Sequence, residues 1–304
     1  MKIYTITLSP AYDIHAYTAH FEPFHENLAE TLSRDAGGKG VNISRALTVW
    51  GSPNTALVVV GRDNASDFIS QLDKAKMSYE ILERQGRIRE NLTLHTSDSD
   101  ETRISFSGFS ADEGLLDEIE AKIEPEESIV TFTGRVPKGI SMGAVKSFLL
   151  RLADKGAKIV IDSRSFTLDD IFEVKPWLIK PNQEEISEFF GQSITTVEEA
   201  AEKAREIGSR GVENVMISLG SLGALLFDGE AIHTATPPKI NALSTIGAGD
   251  SSIAGFISAF ANKKNPSECL RLAVAFGSAA CLTEGSLPPE KQDIEQIYQK
   301  IEIK

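Results

Sequence analysis

The chain has 304 residues, 41% of them hydrophobic and 25% charged, and its 44 acidic against 31 basic residues give a formal net charge of −13. That length supports a sizeable core, in one large α/β domain or a domain with a smaller appendage, and the composition is that of an ordinary soluble globular protein. The negative field argues against nucleic acid and anionic membranes as partners, and no apolar run approaches the roughly 20 residues of a spanning helix.

In chain order, residues 1–6 read directly as a strand rather than as a leader, so a cytoplasmic protein is expected. Residues 11–35 are polar and irregular, without a strong helical period. Ala36-Gly37-Gly38-Lys39-Gly40-Val41-Asn42 is a glycine cluster entering a predicted helix over 41–50. Short β-branched runs predict strands at 56–61, 128–133, 158–162, 178–180 and 215–219, with helical stretches such as 144–155 and 197–210 between them. In the latter, Glu198, Glu202 and Glu206 keep one face solvated, while Ala200, Ala204 and Ile207 suit the inner face. Strands alternating with helices predict an α/β fold, a mostly parallel sheet with helices on both faces.

Two regions break the alternation. Residues 91–96 and 102–107 flank the turn-forming 97–101 and read as a hairpin. This hairpin and residues 11–35 either form a small β lid over the ligand-binding end of the sheet or are two surface excursions. On the lid reading the core comprises 1–10, 36–88 and 108–304, and the discontinuous lid 11–35 and 89–107. Cys269 and Cys281 lie far apart in apolar helical sequence and read as buried structural thiols. The histidines at 15, 20, 25, 95 and 233 show no metal-ligand spacing.

Two glycine clusters carry the chemistry. Gly247-Ala248-Gly249-Asp250 precedes an apolar helical run over 251–260. Glycines there let unpaired N–H groups converge on an anion, with the helix dipole adding positive potential, and the Asp250 carboxylate is placed to take a hydroxyl proton. Alone, such a GxGD reads first as a tight turn with an acid in the first helical turn. A dinucleotide fingerprint fails on position, and the P-loop signature is absent. In the first cluster, Gly37 and Gly38 permit close backbone approach, Lys39 offers a point charge and Asn42 a donor–acceptor pair; alone, it is a glycine-rich turn with a solvated lysine.

The two clusters together resemble the signatures of the PfkB (ribokinase-like) carbohydrate kinases, GGKGxN early and a GAGD-helix late. The resemblance runs nearly end to end through Lys180-Pro181-Asn182-Gln183-Glu184-Glu185, Ser218–Gly223 and Ala275–Ala280. Thr7-Leu8-Ser9-Pro10-Ala11-Tyr12-Asp13 and Arg89-Glu90-Asn91 are similar to the TLNPxxD and RxN elements of the 1-phosphofructokinase and tagatose-6-phosphate kinase branch. The fold implied is a three-layer α/β/α core plus the small β lid. By resemblance Asp250 is the base, and the amides of Gly247, Ala248 and Gly249 form the anion hole. Asp13, Gly37, Gly38 and Asn42 hold sugar hydroxyls, while Lys39 and Arg89 neutralise the phosphate already on the sugar. Lys180, Asn182, Ser218, Gly220, Gly223, Gly249 and Ser278 line ATP. Asn182 and Glu185 organise Mg²⁺ through water, although NxxE is also an N-cap followed by its capping-box acid. A homodimer through the lid is implied by the same analogy.

Three departures fall on the acceptor side. Arg135 stands where the branch shows a small serine, Leu28 where it often shows a basic residue, and the hairpin lacks the usual TEINxPG. Arg135 either adds a guanidinium to the phosphate site or points elsewhere and leaves that contact missing, and Arg103 is a candidate substitute cation equally readable as a solvated strand residue. The expected activity is phosphorylation of a ketohexose phosphate, fructose 1-phosphate or tagatose 6-phosphate, by ATP. The alternatives are a kinase for fructose 6-phosphate, a free sugar or a nucleoside, and a non-catalytic sugar-phosphate sensor.

Overall fold

The structure, a computed structural model, describes residues 1–97 and 101–304. In chain order its elements begin β1 (Lys2–Thr7), β2 (Ala11–Tyr17), β3 (Glu30–Gly37), α1 (Lys39–Trp50), β4 (Thr55–Gly61), α2 (Ala65–Lys74), β5 (Tyr79–Arg84), β6 (Arg89–His95) and β7 (Glu101–Ser105). The middle follows with α3 (Gly114–Glu120), β8 (Ser128–Thr133), α4 (Met142–Asp154), β9 (Lys158–Asp162), α5 (Leu168–Val174), β10 (Leu178–Ile179), α6 (Gln183–Phe190), α7 (Val197–Ser209) and β11 (Asn214–Ser218). The chain closes with β12 (Ala224–Phe227), β13 (Ile232–Thr236), α8 (Ala248–Ala261), α9 (Pro266–Ala280), α10 (Lys291–Tyr298) and β14 (Glu302–Ile303).

The main sheet runs β14-β13-β12-β11-β10-β9-β8-β1-β4-β5. It is parallel from β5 to β11 and antiparallel beyond. Strand β8 is buried along its whole length, which explains its unbroken Ser-Ile-Val-Thr-Phe-Thr run: both faces are covered. Its alternate residues enter different cores. Val130 and Phe132 pack with α4 residues Phe148 and Leu149, whereas Ile129 packs with α1 and α8 residues Leu47 and Ile253. The expected α/β/α layering is therefore present. Cys269 is buried and its thiol is pushed up to about 12 by that burial, as a structural thiol should be; Cys281 is only half-buried.

The polar, irregular stretch 11–35 contains two strands. Strand β2 pairs antiparallel with β3 and parallel with β6, and β6 pairs antiparallel with β7, giving a second sheet β3-β2-β6-β7. Alternation failed to reveal β3 because Glu30–Asp35 is half-solvated polar sequence whose strand form depends on pairing with β2. The hairpin is present as β6 and β7; part of its expected turn, 98–100, lies outside the described residues.

Candidate active site

The chain order of the main sheet reverses at β1, which has β4 on one side and β8 on the other. Carboxyl ends of strands flanking such a switch open a crevice, and the candidate residues gather there. Gly38 follows β3 and precedes α1 with φ +125°, and a Cβ on it would lie 2.8 Å from Thr7 Cγ2 at the end of β1. A Cβ on Gly37 would lie 2.1 Å from Asp13 Oδ2, so the missing side chain is what lets the Asp13 carboxylate lie across the loop.

The first turn of α1 faces the first turn of α8. Asn42 Nδ2 donates to Asp250 Oδ2 at 2.9 Å, and Lys39 Nζ donates to Asp162 Oδ2 at 2.9 Å. Lys180 Nζ stands 4.0 Å from the same Asp162 oxygen and 3.1 Å from where a Cβ on Gly249 would be. Asp162 and Asp250 are both buried. Burial works to neutralise Asp162, but Lys180 and Lys39 outweigh it and hold the carboxyl below its usual range. Asp250 lacks so strong a partner. Burial pushes it up to about 6, helped by the Asp162 charge and opposed by Lys39, Asn42 and Lys180. Burial also works to discharge Lys39, yet Asp162 and Asp250 keep its pKa above the ordinary value. The result is a permanent ion pair beside a carboxylate poised to accept a proton near neutral pH. Gly247 caps α8 in the left-handed region, φ +77°. First-turn amides of a helix have no intrahelical acceptor; here the Ala248 amide makes a long 3.4 Å contact with the Thr245 carbonyl. The Asn42 Oδ1 atom is buried and unpaired in the structure, a contact left for a ligand hydroxyl.

The second sheet supplies the opposite wall. Asn91 Nδ2 donates to Asp13 Oδ1 at 2.8 Å, and Arg89 Nη1 donates to Asn91 Oδ1 at 2.8 Å. Burial raises the Asp13 pKa against those partners. Burial and the nearby Arg135 guanidinium both depress Arg89, so two like charges share one region, an arrangement that an anion would relieve. Arg135 is exposed just past β8. Arg103 is elsewhere: it sits on edge strand β7, 61% exposed, donating to Glu101 at 2.8 Å.

On the other flank, Asn182 caps α6 and its Oδ1 accepts from the Glu185 amide at 2.8 Å, while Glu185 Oε2 accepts from the Asn182 amide at 3.0 Å. The capping reading of NxxE is thus realised. Glu185 Oε1 also accepts from Arg164 at 3.2 Å. Gly220, φ +58°, faces open space past β11, whereas Gly223 is glycine because a Cβ would lie 2.0 Å from the Ala235 carbonyl. Ser218 is half-buried and Ser278 buried on α9.

The pattern of a pfkB family carbohydrate kinase matches residues 5–293. The chain belongs to that family. As a pfkB carbohydrate kinase it is a phosphotransferase with an alcohol acceptor. The 1-phosphofructokinase of Bacillus subtilis is 33% identical over 290 residues, covering 93% of each chain. That of Vibrio cholerae is 29% identical over 306 residues, 99% of this chain and 96% of the relative. The crystal structure of Escherichia coli phosphofructokinase-2 in complex with substrates and products superposes with a TM-score of 0.91 at 28% identity, covering 99% of each chain.

Asp162 is a candidate site residue that no sequence signal singles out. It closes a β-branched run, and a strand-end acid has no local signature; only its two lysine partners mark it. Lys180, expected against the nucleotide, reaches the same carboxylate.

Proposed function

We propose that this pfkB kinase transfers the γ-phosphoryl group of ATP to fructose 1-phosphate, giving a bisphosphate and ADP, in the cytoplasm. The observation that carries the reading is the buried Asp250, raised to about 6 and held by Asn42 in the first turn of α8, with Arg89 and Arg135 gathered across the crevice. Relatives named 1-phosphofructokinase support the choice of acceptor. Asp250 takes the proton of the acceptor hydroxyl, and Asn42 fixes the carboxylate. The amides of Gly247–Gly249 and the Lys39 ammonium carry negative charge that develops on the transferring group, and Asp162 orients Lys39. Asp13 and the free oxygen of Asn42 hold sugar hydroxyls, while Arg89 and Arg135 take the resident phosphate.

The second sheet acts as a lid, excluding water that would otherwise hydrolyse ATP. It leaves Leu32, Ile104 and Phe106 exposed, which supports pairing of two copies through the lid. Among the described residues no cluster of three or more acidic, histidine or cysteine side chains exists to cage a metal. Both Glu185 oxygens already accept hydrogen bonds, so Asn182 and Glu185 would hold Mg²⁺ through water rather than directly, and the ion would supply positive charge to offset that of the phosphates. ADP release measured with fructose 1-phosphate, tagatose 6-phosphate, fructose 6-phosphate and free sugars tests the proposal. Fructose 1-phosphate should give the highest kcat/KM, and faster turnover of a free sugar would refute the acceptor assignment.

A further inference from the structure

Two histidines meet on the face of the second sheet that also carries Asp13. Nδ1 of His15 lies 3.0 Å from Nε2 of His95, and the rings stack 5.3 Å apart with 14° between their planes. His15 follows Asp13 by two residues along β2, so both side chains leave the strand on one side. Behind His95, Glu101 Oε1 stands 3.5 Å from Nδ1, and Glu101 in turn accepts from Arg103. A row of polar side chains thus crosses β7, β6 and β2, and its end at His15 reaches the core.

There the ring meets backbone. A Cβ on Gly285 would lie 3.3 Å from His15 Nε2 and 3.8 Å from Cδ2, and Gly285 has φ +56°. The next residue, Ser286, is buried, and its Cα is 3.7 Å from where a Cβ on Gly247 would be. A single loop therefore lies beside the imidazole of the second sheet on one side and beside the cap of α8 on the other, each within reach of one added methyl group. A 3.0 Å contact between ring nitrogens needs one N–H and one lone pair, so each ring sets the other's tautomer.

We propose that His15 is a positioning residue: buttressed by His95, it bears on the Gly285–Ser286 loop and fixes the Gly247 turn while the second sheet covers the crevice. This rests on the reading of residues 247–250 as the phosphoryl-transfer centre. Two stacked, mutually bonded rings make a stiff wedge, and small displacements of a charge-stabilising group are costly to transfer chemistry.

The test is a double-mutant cycle of His15→Ala and Gly285→Ala on the full-length protein, read by thermal unfolding and by steady-state kinetics with ATP and fructose 1-phosphate. His15→Ala should lower kcat roughly ten- to hundredfold with the KM for ATP changed by less than about threefold. His15→Gln, which restores a nitrogen donor of similar reach, should recover most of that loss, and His95→Ala should reproduce part of it. The two alanine variants should be non-additive in both readouts. Additive melting would show that the ring does not bear on the loop, and an unchanged kcat in His15→Ala would show that the contact does not reach Gly247; either result overturns the proposal. The melting arm needs no substrate. Coupled melting in a protein that releases no ADP with any sugar phosphate would instead refute the functional reading, and the positioning role would fall with it.

Discussion

The two walls of the crevice are built on different principles. On the core wall, Asp162 and Asp250 are buried, and the polar groups around them are committed to one another through Lys39, Lys180 and Asn42. On the second-sheet wall, Asp13, Asn91 and Arg89 form a half-buried chain and Arg103 belongs to a surface ion pair, while Arg135 approaches Arg89 from an exposed position just past β8 of the main sheet. Buried charges must be fixed by partners or change their protonation, so the core wall has a single arrangement and suits invariant chemistry. Solvated guanidiniums can be exchanged without that penalty, so on the proposed function the second wall is where acceptor preference would vary. The departures from the 1-phosphofructokinase pattern, at Leu28, Arg103 and Arg135, all fall on that second wall or beside it.

Breaking the core wall should give the largest effects. Asp250→Asn is expected to lower kcat by about 10²–10⁴-fold, the range associated with a general base, with little change in KM. The same variant should be more stable. With its folded pKa about 6, Asp250 binds more protons folded than unfolded, so its contribution to stability falls as pH rises from about 4 through 6. Removing it should therefore stabilise the fold at neutral pH, by up to on the order of 2–3 kcal/mol in denaturant melts. An unstable, inactive variant would show that Asp250 is held as part of the scaffold.

Lys39→Met comes next, because it leaves Asp162 with only the more distant Lys180. Breaking a buried pair from one side costs about 3–5 kcal/mol, here reduced by that second lysine and by the partial exposure of Lys39. Urea unfolding should show a loss of about 1–3 kcal/mol together with a fall in kcat. For the wild type, kcat/KM should drop as pH falls below about 6, where Asp250 takes up its proton; in Asp162→Asn that limb should move to lower pH, since a neighbouring negative charge is gone. An unmoved limb would uncouple the two aspartates.

The second wall should respond in KM. Arg89→Gln is expected to raise the KM for the sugar phosphate by about 10- to 100-fold with kcat nearly kept, as loss of a charge-assisted phosphate contact worth about 1.5–3 kcal/mol requires. Arg103→Gln should change either constant by less than about twofold, the small effect of an exposed pair. A large KM effect at Arg103 would move the phosphate subsite toward β7 and erase the contrast between the walls.

The sequence by itself determined the α/β layering, because fully buried parallel strands such as Ser128–Thr133 need unbroken β-branched runs and their helices need a 3.6-residue period. It also determined the two glycine turns, since Gly38 at φ +125° and Gly247 at φ +77° occupy backbone conformations that disfavour other residues. Tertiary structure alone decided the rest. Strand β3 exists because β2 pairs with it, Asp162 stays charged because Lys39 and Lys180 converge on it, and His15 lies beside Gly285 because the fold brings strand β2 and that loop together. Local rules record what a residue needs of its neighbours in the chain. The electrostatics of a buried carboxylate depend on charges brought beside it from as far as 123 residues away, and no period or spacing encodes them.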